Sequence, residues 1–240
     1  MDEELNLQIK KLQNRAICDL TVGLLMIFFI TFGVLFLFVP SFVCLIFFTF
    51  AIISIVYLIY SARSAKCEEM ESKHKPVIFN SSNNFTFVEV IGKFKKLTDD
   101  KNQVSISENV GFFQFEKIFK LTAVVYQTDD FNKKEFADAK KRINKKASKE
   151  LNISHRVIRQ DRRNLMRFYI IYTNNLNDEL SGFISQNANH NLTRAEGLIN
   201  IAIVGNQIII PPLYGQCDLM EIGRYKRVIK FINQVLMNDK

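Results

Sequence analysis

The sequence predicts an α+β domain attached to an N-terminal two-helix transmembrane hairpin, and three observations lead there. A 43-residue stretch, Leu20 to Ala62, carries no charge. A proline, Pro40, divides it in two. Beyond Pro76 the apolar residues follow the short periods of strands and helices instead, with strand-like and helix-like segments mixed along the chain.

Residues 1–15 place Leu5, Ile9 and Leu12 at helical spacing, acids first and bases last, as the helix dipole favours. This segment reads as an amphipathic helix running into the uncharged stretch. A single helix through that stretch would be about 64 Å long, roughly twice the hydrocarbon thickness of a bilayer, so it holds two spans. Pro40-Ser41 marks the break, and the spans fall near Ile17–Val39 and Phe42–Tyr60. Fifteen of the residues in Leu20–Val39, and 13 of those in Phe42–Tyr60, are Leu, Ile, Val or Phe. A signal peptide is excluded by Asp2, Glu3 and Glu4 and by the length of the apolar stretch. The hairpin thus occupies residues 16–61. Residues 62–75 form a polar juxtamembrane linker or a continuation of the second helix.

Flanking charge sets the expected orientation. Lys10, Lys11 and Arg15 precede the first span, Arg63, Lys66, Lys73 and Lys75 follow the second, and the turn has none. The positive-inside rule then places both termini in the cytoplasm. Asn80, Asn84, Asn152 and Asn191 begin glycosylation-type triplets, which in an Asn-rich chain on that side are coincidental. Cys18, Cys44, Cys67 and Cys217 form no CxxC pair and no cluster with histidine, which implies neither a disulfide framework nor zinc. Cys18 and Cys67 lie where acylation at the membrane interface would be feasible.

From Pro76 to the C-terminus a single α+β domain is expected. Phe85–Ile91, Val104–Ser107, Gly111–Phe115 and Phe119–Gln127 read as strands from their β-branched and aromatic content. Phe131–Leu151 reads as a helix with Phe136, Ala139, Ile143 and Ala147 on one face and most of its lysines on the other. Asn152 or Ser154 would cap a short helix through Arg163. A buried strand over Leu165–Thr173 and a short helix over Asp178–Ala188 follow. Leu198–Val204 and Gln207–Ile210 flank Gly205-Asn206, the signature of a tight β-hairpin. Pro211-Pro212 stops that strand. A closing helix over Leu219–Met237 sets Ile222, Tyr225, Ile229, Ile232 and Leu236 on one side. This order suggests a sheet covered by helices on one face.

Charge is the most informative feature of the domain. Thirteen Lys or Arg against six acids fall between Asp129 and Arg167, so this segment's +7 supplies nearly all of the chain's +8. The candidate anion-binding residues are Lys133, Lys134, Lys140, Lys141, Arg142, Lys145, Lys146, Lys149, Arg156, Arg159, Arg162 and Arg163. Their bland explanation is a solvated helix face. Their functional one is a surface for anionic headgroups, an acidic partner protein or nucleic acid. A membrane tether ranks lipid and an acidic membrane partner ahead of nucleic acid. The aromatic interleaving of a single-strand binder is missing, since Tyr169 and Tyr172 sit in an apolar strand.

Enzymatic signatures are sparse. The chain has no P-loop, GxGxxG, HExxH or GxSxG. His74, His155 and His190 are the only histidine bases, Cys217 with His190 the only thiol pairing to consider, and Glu89 with Lys93 only a faint echo of nuclease chemistry. No catalytic residue, cofactor or metal ligand is assigned. The leading expectation is a membrane-anchored interaction or scaffold module whose partners are the bilayer and a protein or a second copy. The alternatives are a two-span sensor-effector, with a ligand-binding cytosolic domain and a membrane-disrupting oligomer, and then a membrane-tethered hydrolase.

Overall fold

The structure, a computed structural model, describes residues 3–35, 41–71, 75–82, 84–98, 103–107, 110–115, 121–150, 166–186, 198–215 and 217–237. The chain divides into two compact units: Met1–Lys73 with Tyr214–Ile222, and His74–Leu213 with Gly223–Lys240.

The first unit is built on helices α1 (Glu3–Leu35) and α2 (Ser41–Glu71), which lie against each other. The helical alternative for residues 62–71 is the one observed. Within α1 and α2, Leu5–Phe32 and Leu45–Lys66 are long and apolar enough to cross a membrane. Only 6% and 17% of their apolar windows are buried, unlike helices of a protein core. Leu20, Leu24, Ile27, Ile52 and Val56 all present more than half their surface outward, at 54–60% exposure. The amphipathic start behaves differently: Leu5, Ile9 and Leu12 are buried.

The second unit is one seven-stranded mixed sheet in the order β1-β7-β6-β5-β4-β3-β2. Its strands are β1 (Val77–Asn80), β2 (Gln103–Ser107), β3 (Val110–Phe115), β4 (Leu121–Gln127), β5 (Met166–Thr173), β6 (Leu198–Val204) and β7 (Gln207–Ile210). The central three run parallel, with Val124, Tyr169 and Asn200 in register, and antiparallel strands extend the sheet on either side. The helices are α3 (Phe87–Leu97), α4 (Lys133–Glu150), α5 (Asp178–Ile184) and, from Gly223 on, α6 (Leu219–Phe231), the last continued by a π-helical turn, Ile232–Met237.

Helices cover both faces of the sheet, not one. α4 and α5 are the crossovers of two consecutive βαβ units stepping in the same direction, so right-handedness puts both on the same side. There Phe136, Ala139 and Ile143 of α4 and Leu180 and Ile184 of α5 bury against Val124, Tyr169, Ile171 and Ala202. On the opposite face, Phe94 of α3 meets Phe113 and Phe231, and Phe231 stacks on Phe168 at 4.8 Å. Parallel strands between two helical layers need apolar residues on both sides. The unbroken run Phe168–Tyr172 already carried that signal.

One further expectation is corrected. Residues 85–91 are not a strand: Thr86 and Glu89 form a reciprocal capping box that starts α3, with Glu89 N donating to Thr86 Oγ1 at 3.2 Å and Thr86 N to Glu89 Oε2 at 2.9 Å. Val90 and Phe94, one turn apart, are then fully buried, while Val88 is 78% exposed. β-branched content was the weaker signal, because it reflects fit to a half-buried surface rather than a backbone preference. β1, which no expectation from the sequence covered, is a four-residue strand too short to show alternation, and it pairs with β7 at the sheet edge.

Two glycines are required by geometry. Gly205 has φ +59° in the turn joining β6 and β7. At Gly111 a Cβ would sit 2.8 Å from the Phe113 ring and 2.9 Å from Ile91 Cδ1, so its absence lets α3 approach β3.

Candidate functional site

Of the candidate anion-binding residues, those that the structure describes all lie on α4. The helix begins where Asn132 Oδ1 accepts from Lys134 N at 2.9 Å and Glu135 N at 3.2 Å, a side-chain cap. Lys133 N donates to Glu179 Oε1 of α5 at 3.0 Å. Asn177, which caps α5 through Leu180 N, also donates to Asp130 Oδ1 and to the Phe131 carbonyl. The amide donors at the start of α4 are therefore taken by the domain's own side chains. Any affinity of this helix for anions lies along its side.

Along that side, eight Lys or Arg stand against three acids within the 18 residues of α4, a net +5. Phe136, Ala139 and Ile143 point into the core, as the spacing predicts; the side chain of Ala147 lies outside the described residues. Lys133, Lys134, Lys141, Arg142, Lys145 and Lys149 are exposed. At about 100° per residue, Lys134, Lys141 and Lys145 project opposite the core face, and Arg142 and Lys149 flank them. Lys134 and Lys149 are separated by about 22 Å of helix.

The candidate set thus separates into groups. Lys140 is half-buried, with its ammonium 4.5 Å from the centroid of the Tyr169 ring, a cation–π contact inside the domain. Lys146 is half-buried too. Lys141 lies 3.4 Å from Asp138 one turn earlier, an exposed pair of the kind that contributes little. Arg156, Arg159, Arg162 and Arg163, and the short helix expected around them, lie outside the described residues.

Other candidates fare differently. Glu89 and Lys93 are helical, and Lys93 Nζ donates to the Leu236 carbonyl at 2.7 Å. The Glu89 carboxylate serves the α3 cap. Cys217 is buried, with Sγ 3.5 Å from the Tyr214 carbonyl. His74, His155 and His190 are outside the described residues. Among the described residues no group of three or more His, Cys, Asp or Glu is placed to hold a metal ion. Sequence reasoning missed the Asn132 and Asn177 caps, although an Asn ahead of each helix is a readable signal.

Compared with protein-family models, with curated proteins and with solved structures, the chain has no match in any of the three.

Proposed function

We propose that the protein is a membrane-anchored interaction module: α1 and α2 cross the bilayer with both termini on the cytoplasmic side, and the α+β domain docks an anionic target on α4. The observation that carries the reading is the stripe of Lys134, Lys141, Arg142, Lys145 and Lys149, exposed together on one helix. Five cations over about 22 Å suit an extended anionic surface, either headgroups or the acidic face of a partner, more than a single small anion. Phe131, just ahead of α4, and Phe136, within it, are buried, which favours these targets over a single-stranded nucleic acid that stacks its bases. The apolar exposure of both hairpin helices supports the anchor, and the basic flanks of an uncharged turn support the orientation.

The test is affinity purification of the full chain from native membranes, beside a variant with Lys134, Lys141, Lys145 and Lys149 changed to Glu. An acidic protein or anionic lipid that enriches with the original chain, is released by 1 M salt and is lost with the variant supports the proposal. Identical co-purifying sets from both chains refute it.

A further inference from the structure

The two apolar helices carry hydroxyl groups whose hydrogen bonds divide into two kinds. Thr21, Thr31, Thr49 and Ser54 each donate to the carbonyl four residues earlier in the same helix, at 2.8–2.9 Å. That is how a hydroxyl is satisfied when nothing polar faces it from another helix. Ser61 departs from this pattern. Its Oγ crosses from α2 to α1 and donates to the Asp19 carboxylate, 2.8 Å from Oδ1 and 3.1 Å from Oδ2. From one turn earlier in α1, Arg15 Nη2 reaches back to the Ser61 carbonyl at 3.2 Å. One turn earlier in α2, Tyr57 OH donates to Cys18 Sγ at 3.1 Å. Ser61 is buried, as is Ala65 one turn on.

We infer that Arg15, Asp19 and Ser61, seconded by Tyr57 and Cys18, form an interhelical clasp that closes the hairpin at its open end and fixes the register of the two helices. The location has a physical reason. Apolar side chains in lipid gain little from choosing one register over another, so hydrogen bonds between helices decide it. A carboxylate and a guanidinium are tolerable only where the apolar stretch ends, and Arg15 and Asp19 sit there. Breaking the clasp takes the Ser61 hydroxyl donor from the Asp19 carboxylate and the Ser61 carbonyl from Arg15. Farther along the hairpin Phe29 stacks on Phe50 at 5.2 Å, an apolar contact between the same two helices.

This inference rests on the reading of the hairpin as membrane-embedded, and the experiment separates the two. The full chain, with its four cysteines changed to Ser (a change that at Cys18 keeps an acceptor for the Tyr57 hydroxyl) and with Lys10→Cys and Lys66→Cys introduced at exposed positions, is spin-labelled, placed in lipid nanodiscs and read by pulsed electron resonance. Resistance of the chain to alkaline extraction from native membranes tests the embedding by itself. A single narrow distance distribution is expected for the reference chain. Asp19→Ala with Ser61→Ala should broaden it and move it to longer distance, and Ser61→Ala alone, which removes one oxygen and no charge, should shift it in the same sense. Thr31→Ala with Ser54→Ala should leave it unchanged, because those hydroxyls bond within their own helices. Distributions that stay superimposable after the Asp19 and Ser61 changes overturn the clasp, as does an equal effect of the Thr31 and Ser54 changes.

Discussion

Reversing four charges on α4 tests the proposed docking surface most directly. Lys134, Lys141, Lys145 and Lys149 are exposed and project away from Phe136, Ala139 and Ile143, so glutamate at these positions meets water and not the core. Each Lys or Arg near an anionic leaflet contributes about 1 kcal/mol. Removing four therefore weakens binding by about 4 kcal/mol, near 10³-fold at about 1.4 kcal/mol per decade, and the added repulsion takes it further. The assay is sedimentation of residues 76–240, made without the hairpin, with vesicles containing phosphatidylserine, and with neutral vesicles as the control. Raising salt from 0.1 M to 1 M shortens the screening length from about 10 Å to about 3 Å, so binding by the original domain should collapse over that range. Circular dichroism and thermal unfolding of the variant should stay close to the original, since exposed substitutions away from special features usually stay within about 0.5 kcal/mol each. The reasoning fails if the reversed domain binds as well as the original, or if neither prefers anionic over neutral vesicles. In either case α4 presents only a solvated face.

Three other outcomes follow from the packing. Gly111→Ala pushes a methyl into the Phe113 ring and Ile91 Cδ1 and should cost about 1–3 kcal/mol in denaturant unfolding, whereas an unchanged midpoint would mean that α3 does not close on β3 as described. Val90→Asp should abolish cooperative unfolding of the domain while Val88→Asp is nearly neutral, since Val90 is fully buried and Val88 is 78% exposed; equal tolerance at both sites would contradict the helical phase of α3. Tyr225 is buried with its hydroxyl donating to the Pro211 carbonyl at 2.8 Å, and burial raises its pKa far above the ordinary value of 10.0. The native state then keeps a proton that the unfolded chain releases, so stability is fully present below pH 10 and falls above it by about 1.4 kcal/mol per pH unit. Tyr225→Phe should be less stable by about 1 kcal/mol at neutral pH from the lost hydrogen bond, and the gap should close and reverse above pH 10. A constant gap across that range would count against burial of the phenol.

What the sequence alone determined is what depends on local pattern and on solvent. The uncharged length of Leu20–Ala62 broken at Pro40, the Gly205-Asn206 turn between two apolar runs and the core face of α4 follow from periods and backbone preferences within a few residues. What only the tertiary structure decided depends on which segments meet. Residues 85–91 carry strand-like composition, yet the Thr86–Glu89 box and burial of Val90 and Phe94 against the sheet make them helical. β1 exists because β7 offers it an edge. That α4 and α5 share one face follows from the handedness of two successive crossovers, a property of connections rather than of residues, and the other face is covered by α3 and α6, which are not such crossovers. The candidate surface divides for the same reason. Thirteen basic residues in sequence share one charge but not one environment, because Lys140 lies on Tyr169 while Lys134, Lys141 and Lys145 face solvent. The difference comes from where β5 runs beneath α4, which no window along the chain contains.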